Sequence, residues 1–248
     1  MKTRNPIPKY GVARFYSVRA LTLALSISLT AVGSIPASAL DACATSPTDA
    51  SCLINVGSSK QVVVNKTRPL SPITYRPSDL VRVPKYNPYG RIVRREVSAQ
   101  IVAMGNAMKV AGKGTLIVQS GYRSYASQKT IHAAKVKAIG KTKGEKLAAR
   151  PGYSEHQTGL SVDFAAKGVS TLQISFAKTK AGIWLAANAY RFGFVLRYPS
   201  GKTAITGYQF EPWHFRYVGV DLATTMKTQG VTTLEEYFSL PAAPNYLN

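Results

Sequence analysis

Two histidines and two acids stand out for their type and spacing. They lie in Ser154-Glu155-His156-Gln157-Thr158-Gly159-Leu160-Ser161-Val162-Asp163 and in Glu211-Pro212-Trp213-His214. The 248-residue chain has only three histidines, so these stretches hold all but His132. Imidazole nitrogen and carboxylate oxygen suit a divalent zinc, and three protein ligands leave a fourth position for water. His156, Asp163 and His214 are the candidate ligands, for one zinc per chain. Glu211, three residues before His214, is the candidate base for the proton of that water. Pro212 excludes the helical His-Glu-x-x-His arrangement. The chemistry implied is metal-dependent hydrolysis. Arg123 is a further candidate, because its fork can hold a carboxylate or a developing oxyanion.

These side chains need a frame that brings distant stretches together. Leu160 to Phe164 alternates, with Ser161 and Asp163 on one face and Leu160, Val162 and Phe164 on the other. Further strands are predicted at Gln61–Val64, Thr115–Gln119, Phe194–Leu196 and His214–Val218. Val97, Ile101, Met104 and Met108 recur at helical spacing from Arg95 to Val110, and Gly112 and Gly114 end that helix. Ser124 is placed to cap a helix running to about Ile139, so Arg123 sits between a strand and a helix start, facing a sheet-end cleft. Another helix is predicted over 177–190, burying Ile183, Trp184, Ala187 and Tyr190, and a short one near 234–238. Five prolines between Thr67 and Tyr89 impose an extended, wrapping course. Strands and helices mix without regular alternation. That points to an α+β fold with a mainly antiparallel sheet and flanking helices.

Composition is that of a globular protein, with 45% hydrophobic and 17% charged residues. The charge is unusual at +21. Five of those positive charges fall in residues 1–39 without an acid among them, so the rest carries +16. A basic start, an apolar run from Ala20 to Val32 and Ala37-Ser38-Ala39 follow the order of a cleavable signal peptide. The run is short for a membrane anchor, and no later stretch reads as a span. Residues 40–59 read as a polar tether, in which Cys43 and Cys52 are placed for a disulfide of an exported protein. Residues 60–240 form the expected zinc hydrolase domain and 241–248 a C-terminal tail. The charge calls for an acidic partner, with nucleic acid, anionic lipid and anionic wall polymers as the candidates, and does not choose among them. Without a Lys/Arg run or aromatic-basic interleaving, a specific nucleic-acid module is not indicated. Gly140-Lys141-Thr142 and Gly201-Lys202-Thr203 lack the earlier glycine of a phosphate loop. Ser175-Phe176-Ala177-Lys178 lacks the companion motifs of a serine-type penicillin-binding enzyme.

Three ordered motifs carry a family resemblance: Ser120-Gly121-Tyr122-Arg123-Ser124; Ala149-Arg150-Pro151-Gly152-Tyr153-Ser154-Glu155-His156-Gln157-Thr158-Gly159; and Glu211-Pro212-Trp213-His214-Phe215-Arg216-Tyr217-Val218-Gly219. Together they resemble the VanY-type zinc D-alanyl-D-alanine carboxypeptidases, over roughly 61–238. The resemblance implies the compact fold shared with hedgehog signalling domains. It implies zinc on His156, Asp163 and His214, catalysis by Glu211 with Arg123, substrate contact by Ser154 and a pocket position for Gln128. It implies peptidoglycan stem peptides as substrate, outside the cytoplasm. The usual Gly-x-Ala-x-Asp reads Gly159-Leu160-Ser161-Val162-Asp163 here, with serine in place of alanine. The alternatives are an L,D-carboxypeptidase or endopeptidase of the same family, or a non-catalytic wall-binding module. Intact Glu211 favours an enzyme.

Overall fold

A computed structural model describes residues 53–247 apart from 170 and 171. Residues 1–39, Cys43 and Cys52 lie outside the described residues. Four strands build the main sheet: β3 (Leu116–Ser120), β4 (Ser161–Ala166), β5 (Phe194–Leu196) and β6 (His214–Tyr217). Their order is β3-β4-β6-β5 and every pairing is antiparallel. A separate hairpin joins β1 (Leu80–Arg82) to β2 (Ile92–Arg94).

The alternation along β4 decides the layering. Val162 and Phe164 join Val118, Phe194, Phe215 and Tyr217 in the core. Helix α1 (Arg95–Val110) covers that face with Val97, Ile101, Met104 and Met108, all with no exposed surface. Each such side chain adds about 1.5–3 kcal/mol by leaving water. The opposite face carries Ser161, Asp163, His214 and Arg216. Asp163 pairs with His214 and Ser161 with Arg216 across β4 and β6. Directly opposed residues stand about 4.5–5.5 Å apart at Cβ, so the pairing delivers one ligand candidate to the other.

Helix α2 (Tyr125–Ile139) starts where Ser124 accepts a hydrogen bond from Ser127 N, as expected. A short helix α3 (Lys141–Gly144) folds back on it. Only Gln128 of α2 is buried, so the pair projects beside the sheet.

Three expectations need correction. Gln61–Val64 form no strand. Val62, Val63 and Val64 are buried, but arginines from elsewhere take their carbonyls: Arg216 donates to Val62 O at 2.6 Å and Arg68 to Val63 O at 3.3 Å. The helix predicted over 177–190 runs as α4, Lys180–Asn188. Its buried side is Ala181, Trp184 and Leu185, which join the core cluster, whereas Ile183 and Ala187 are exposed. A helix over Val220–Gln229 lies where none was expected.

Both ends of the described chain pack inward. Ile54 is buried and its carbonyl accepts from Val63 N at 2.9 Å. Ala243 is wholly buried, and Tyr246 Oη accepts from Arg150 N at 2.8 Å.

Candidate metal centre

His156 lies on a 3₁₀ turn, Glu155–Thr158, that Gly159 ends at φ 68°. Glycine takes this left-handed conformation without the penalty of a Cβ. The turn drives His156 into the cleft above β4. Its Nδ1 donates to Gly121 O at 2.8 Å, which leaves Nε2 for a ligand. A Cβ on residue 121 would meet Ile92 O at 2.5 Å, so glycine is what lets this carbonyl reach the ring.

Glu211 and His214 are joined by a β-turn. His214 N donates to Glu211 O at 3.0 Å, with Pro212 at the favoured second position. Glu211 Oε2 thereby lies 3.7 Å from His214 Nδ1.

The three candidate ligands converge. Asp163 Oδ2 lies 3.3 Å from His156 Nε2, and Asp163 Oδ1 lies 3.1 Å from His214 Nδ1. All ligand atoms fall within 4.8 Å of one another and all three residues are buried. Ligand atoms around a tetrahedral zinc, with bonds of roughly 2.0–2.1 Å, stand about 3.3 Å apart. The set fits zinc in donor type, and the two Asp163–histidine distances match that spacing.

Burial raises the Asp163 carboxyl, but His156 and His214 outweigh it and hold it well below the usual carboxylate range. Burial lowers His214, yet the carboxylates of Asp163 and Glu155 push it up to about 9. Burial pushes Glu211 up to about 7, against the opposing pull of His214. A carboxyl in such a place can take up and return a proton near neutral pH.

Arg123 N donates to His156 O at 3.1 Å, which fixes the arginine beside the histidine. Its Nη1 donates to Gln128 Oε1 at 2.8 Å, and its Nη2 lies 3.7 Å from Asp163 Oδ2. Gln128 in turn donates to Ala149 O at 2.7 Å. Gln128 thus holds the guanidinium in place. Ser154 is buried and borders the same cleft of about 790 Å³. Tyr198 packs its ring 4.8 Å from that of His214.

Residues 90–220 match the family profile of the VanY D-alanyl-D-alanine carboxypeptidases, which is more than half of the chain. The chain belongs to the VanY family. A D-alanyl-D-alanine carboxypeptidase of Enterococcus faecalis (strain ATCC 700802 / V583) is 46% identical over 132 residues, 50% of this chain and 47% of that protein. Across three curated relatives the match takes in 66%, 51% and 47% of their lengths. The fold agrees. The LD-carboxypeptidase LdcB superposes with a TM-score of 0.69 at 39% identity, covering 74% of this chain and 87% of that one. A vancomycin-resistance D,D-pentapeptidase VanY in complex with Zn(II) gives 0.61 at 36% identity, covering 71% and 97%. The α+β, mainly antiparallel hedgehog/D,D-peptidase-like fold expected from the sequence is the one observed.

Within this VanY-family centre the sequence reading missed the layer below the ligands. Glu155, Arg197, Arg216 and Glu235 have wholly buried side chains linked by ion pairs. One signal was available. Arg216 lies two residues after His214 on a strand, so it shares the face of that histidine.

Proposed function

We propose that the chain is an extracytoplasmic zinc carboxypeptidase that removes the terminal D-alanine from peptidoglycan stem peptides. The observation carrying this is the convergence of His156, Asp163 and His214 with Glu211 3.7 Å from His214 Nδ1. When bound to those three residues, zinc supplies a Lewis acid and an activated water. Glu211 accepts the proton released at attack and returns it to the departing amine. Arg123, steadied by Gln128, pairs with the free carboxylate of the substrate. Ser154 contacts the peptide from the cleft wall. A wall-binding role without turnover gains no support, since no ligand candidate and no base is missing.

Relatives divide over which bond is cut. The family profile favours a D,D bond, whereas the likeness in shape to LdcB favours an L,D bond. Terminal D-alanine leaves in both cases, from a pentapeptide in the first and a tetrapeptide in the second. Mass analysis of each stem peptide after incubation decides. Release of D-alanine from the pentapeptide is expected; release from the tetrapeptide alone assigns L,D specificity, and no release from either overturns the enzymatic reading.

The expected export and the +16 charge of the rest of the chain support anionic wall polymers as partners. The projecting α2–α3 pair supports this. Lys129, Lys137, Lys141, Lys143 and Lys146 are exposed there, and the one acid among them, Glu145, is bonded to Arg150 at 2.8 Å. No helix of the described residues is long and apolar enough to cross a membrane. The protein is expected in the envelope fraction and to be released by a high-salt wash. Recovery from the cytosol would refute export, and release only by detergent would refute polymer attachment.

A further inference from the structure

The charged layer beneath the ligands has no part in the reaction outlined above. Glu155 Oε1 accepts from Arg197 Nε at 2.8 Å and from Arg216 Nη1 at 2.9 Å. Arg197 forks onto Glu235 at 2.8 and 2.7 Å, and Glu235 also accepts from Asn65. Two acids and two arginines balance in charge. Buried ion pairs of this kind stabilise a fold no better than apolar packing of the same volume, so stability alone does not account for them.

The second oxygen of Glu155 has other neighbours. Ser161 Oγ donates to Oε2 at 3.0 Å. The same Oε2 lies 3.6 Å from His214 Nε2, a buried nitrogen that makes no hydrogen bond. On the other side of the ring, His214 Nδ1 is at hydrogen-bond distance from Asp163 Oδ1, 3.1 Å, the contact a bound metal would replace, and lies 3.7 Å from Glu211. The imidazole is therefore held between the metal position and the buried layer.

We propose that Glu155 is a positioning residue for the metal centre, keeping the His214 proton on Nε2 and freeing the Nδ1 lone pair for the metal. Arg197 and Arg216 fix Oε1, which aims Oε2 at the ring. Ser161, where the family pattern has alanine, donates to that same oxygen and holds it in place. His156 is held in the opposite sense, since its Nδ1 donates to Gly121 O and its Nε2 faces Asp163. The two histidines therefore present different nitrogens to one ion. Partners of this kind orient a ligand and raise its basicity. The carboxylate of Glu155 would also stand between two guanidinium groups and a dication held by the three ligands.

The inference rests on the metal reading, and the test separates the two. Zinc affinity of the metal-depleted protein is measured by competition with a chromophoric chelator. Glu155→Gln is expected to weaken zinc binding about 10- to 100-fold. Glu235→Gln disturbs the same ion pairs without touching His214. It is expected to lower the melting temperature and to leave zinc affinity within about twofold. Equal weakening by both variants, or no weakening by Glu155→Gln, overturns the proposal. If Glu155→Gln does not fold, ¹⁵N spectra of the zinc-loaded parent decide. Nδ1 ligation with Nε2–H at His214, and the reverse at His156, supports the proposal; Nε2 ligation at His214 overturns it. A parent protein that takes up no zinc removes the metal reading and this inference with it.

Discussion

Glu211→Gln is expected to retain zinc and to lose about 10²- to 10⁴-fold in kcat. Glutamine keeps the size of the side chain and cannot take a proton. The substitution leaves His156, Asp163 and His214 intact, and Glu211 contributes no atom to the ligand cluster. Its carboxylate is buried and faces His214 Nδ1 at 3.7 Å, close enough to reach a water that a bound zinc would hold, without occupying a ligand position. The checking measurement is kcat on stem peptide at saturating substrate, with zinc content determined on the same preparation. Near-parental kcat at full zinc content would remove Glu211 as the base. Arg123→Lys is a milder change. It keeps a charge but loses the fork that Gln128 orients. The expected result is a KM raised about tenfold with kcat little changed, the mark of a contact made in the ground state. A fall in kcat at constant KM would instead assign Arg123 to the oxyanion.

Asp163→Asn is expected to abolish both zinc binding and activity while the protein stays folded. Asparagine preserves shape, but a neutral amide is a poor zinc ligand beside two imidazoles. Asp163 is also the one anion that both candidate histidines approach within 3.3 Å, so its charge organises the cluster. The loss should register in stability as well. A ligand present at 1,000 times its Kd adds about 4 kcal/mol to the native state. On a domain of this size that raises the melting temperature on the order of 10 °C. Added zinc should shift the parent by that amount and leave Asp163→Asn unmoved. An equal shift in both would mean that zinc binds elsewhere.

Much of this site could be read from the residues because it follows short-range rules. Alternation along β4 put Ser161 and Asp163 on one face, and the structure keeps them there. The start of α2 at Ser124 followed from capping chemistry, and the absence of a helix between Glu211 and His214 from Pro212. Elements decided by distant partners were harder to see. Val62 to Val64 have strong strand character, yet the side chains of Arg216 and Arg68 take the carbonyls of Val62 and Val63 in place of a neighbouring strand. The phase of α4 was misread because apolar residues occur nearly all around it, so periodicity alone could not choose between Ile183 and Leu185. The helix over Val220–Gln229 carries a weak apolar stripe, Leu222, Ala223 and Met226, between Gly219 and Gly230. The flanking glycines were the available signal. The part played by Glu155 is not legible in its motif, since neither its own spacing nor its neighbours reveal that Arg197, 42 residues on, closes over it.

Diffraction from crystals of the zinc-loaded protein, collected on both sides of the zinc absorption edge, tests the central claim most directly. One anomalous peak per chain is predicted, within about 2.0–2.2 Å of His156 Nε2, an Asp163 carboxylate oxygen and His214 Nδ1. A peak bound to any other residues, or none at that position in protein shown to contain zinc, would contradict the account.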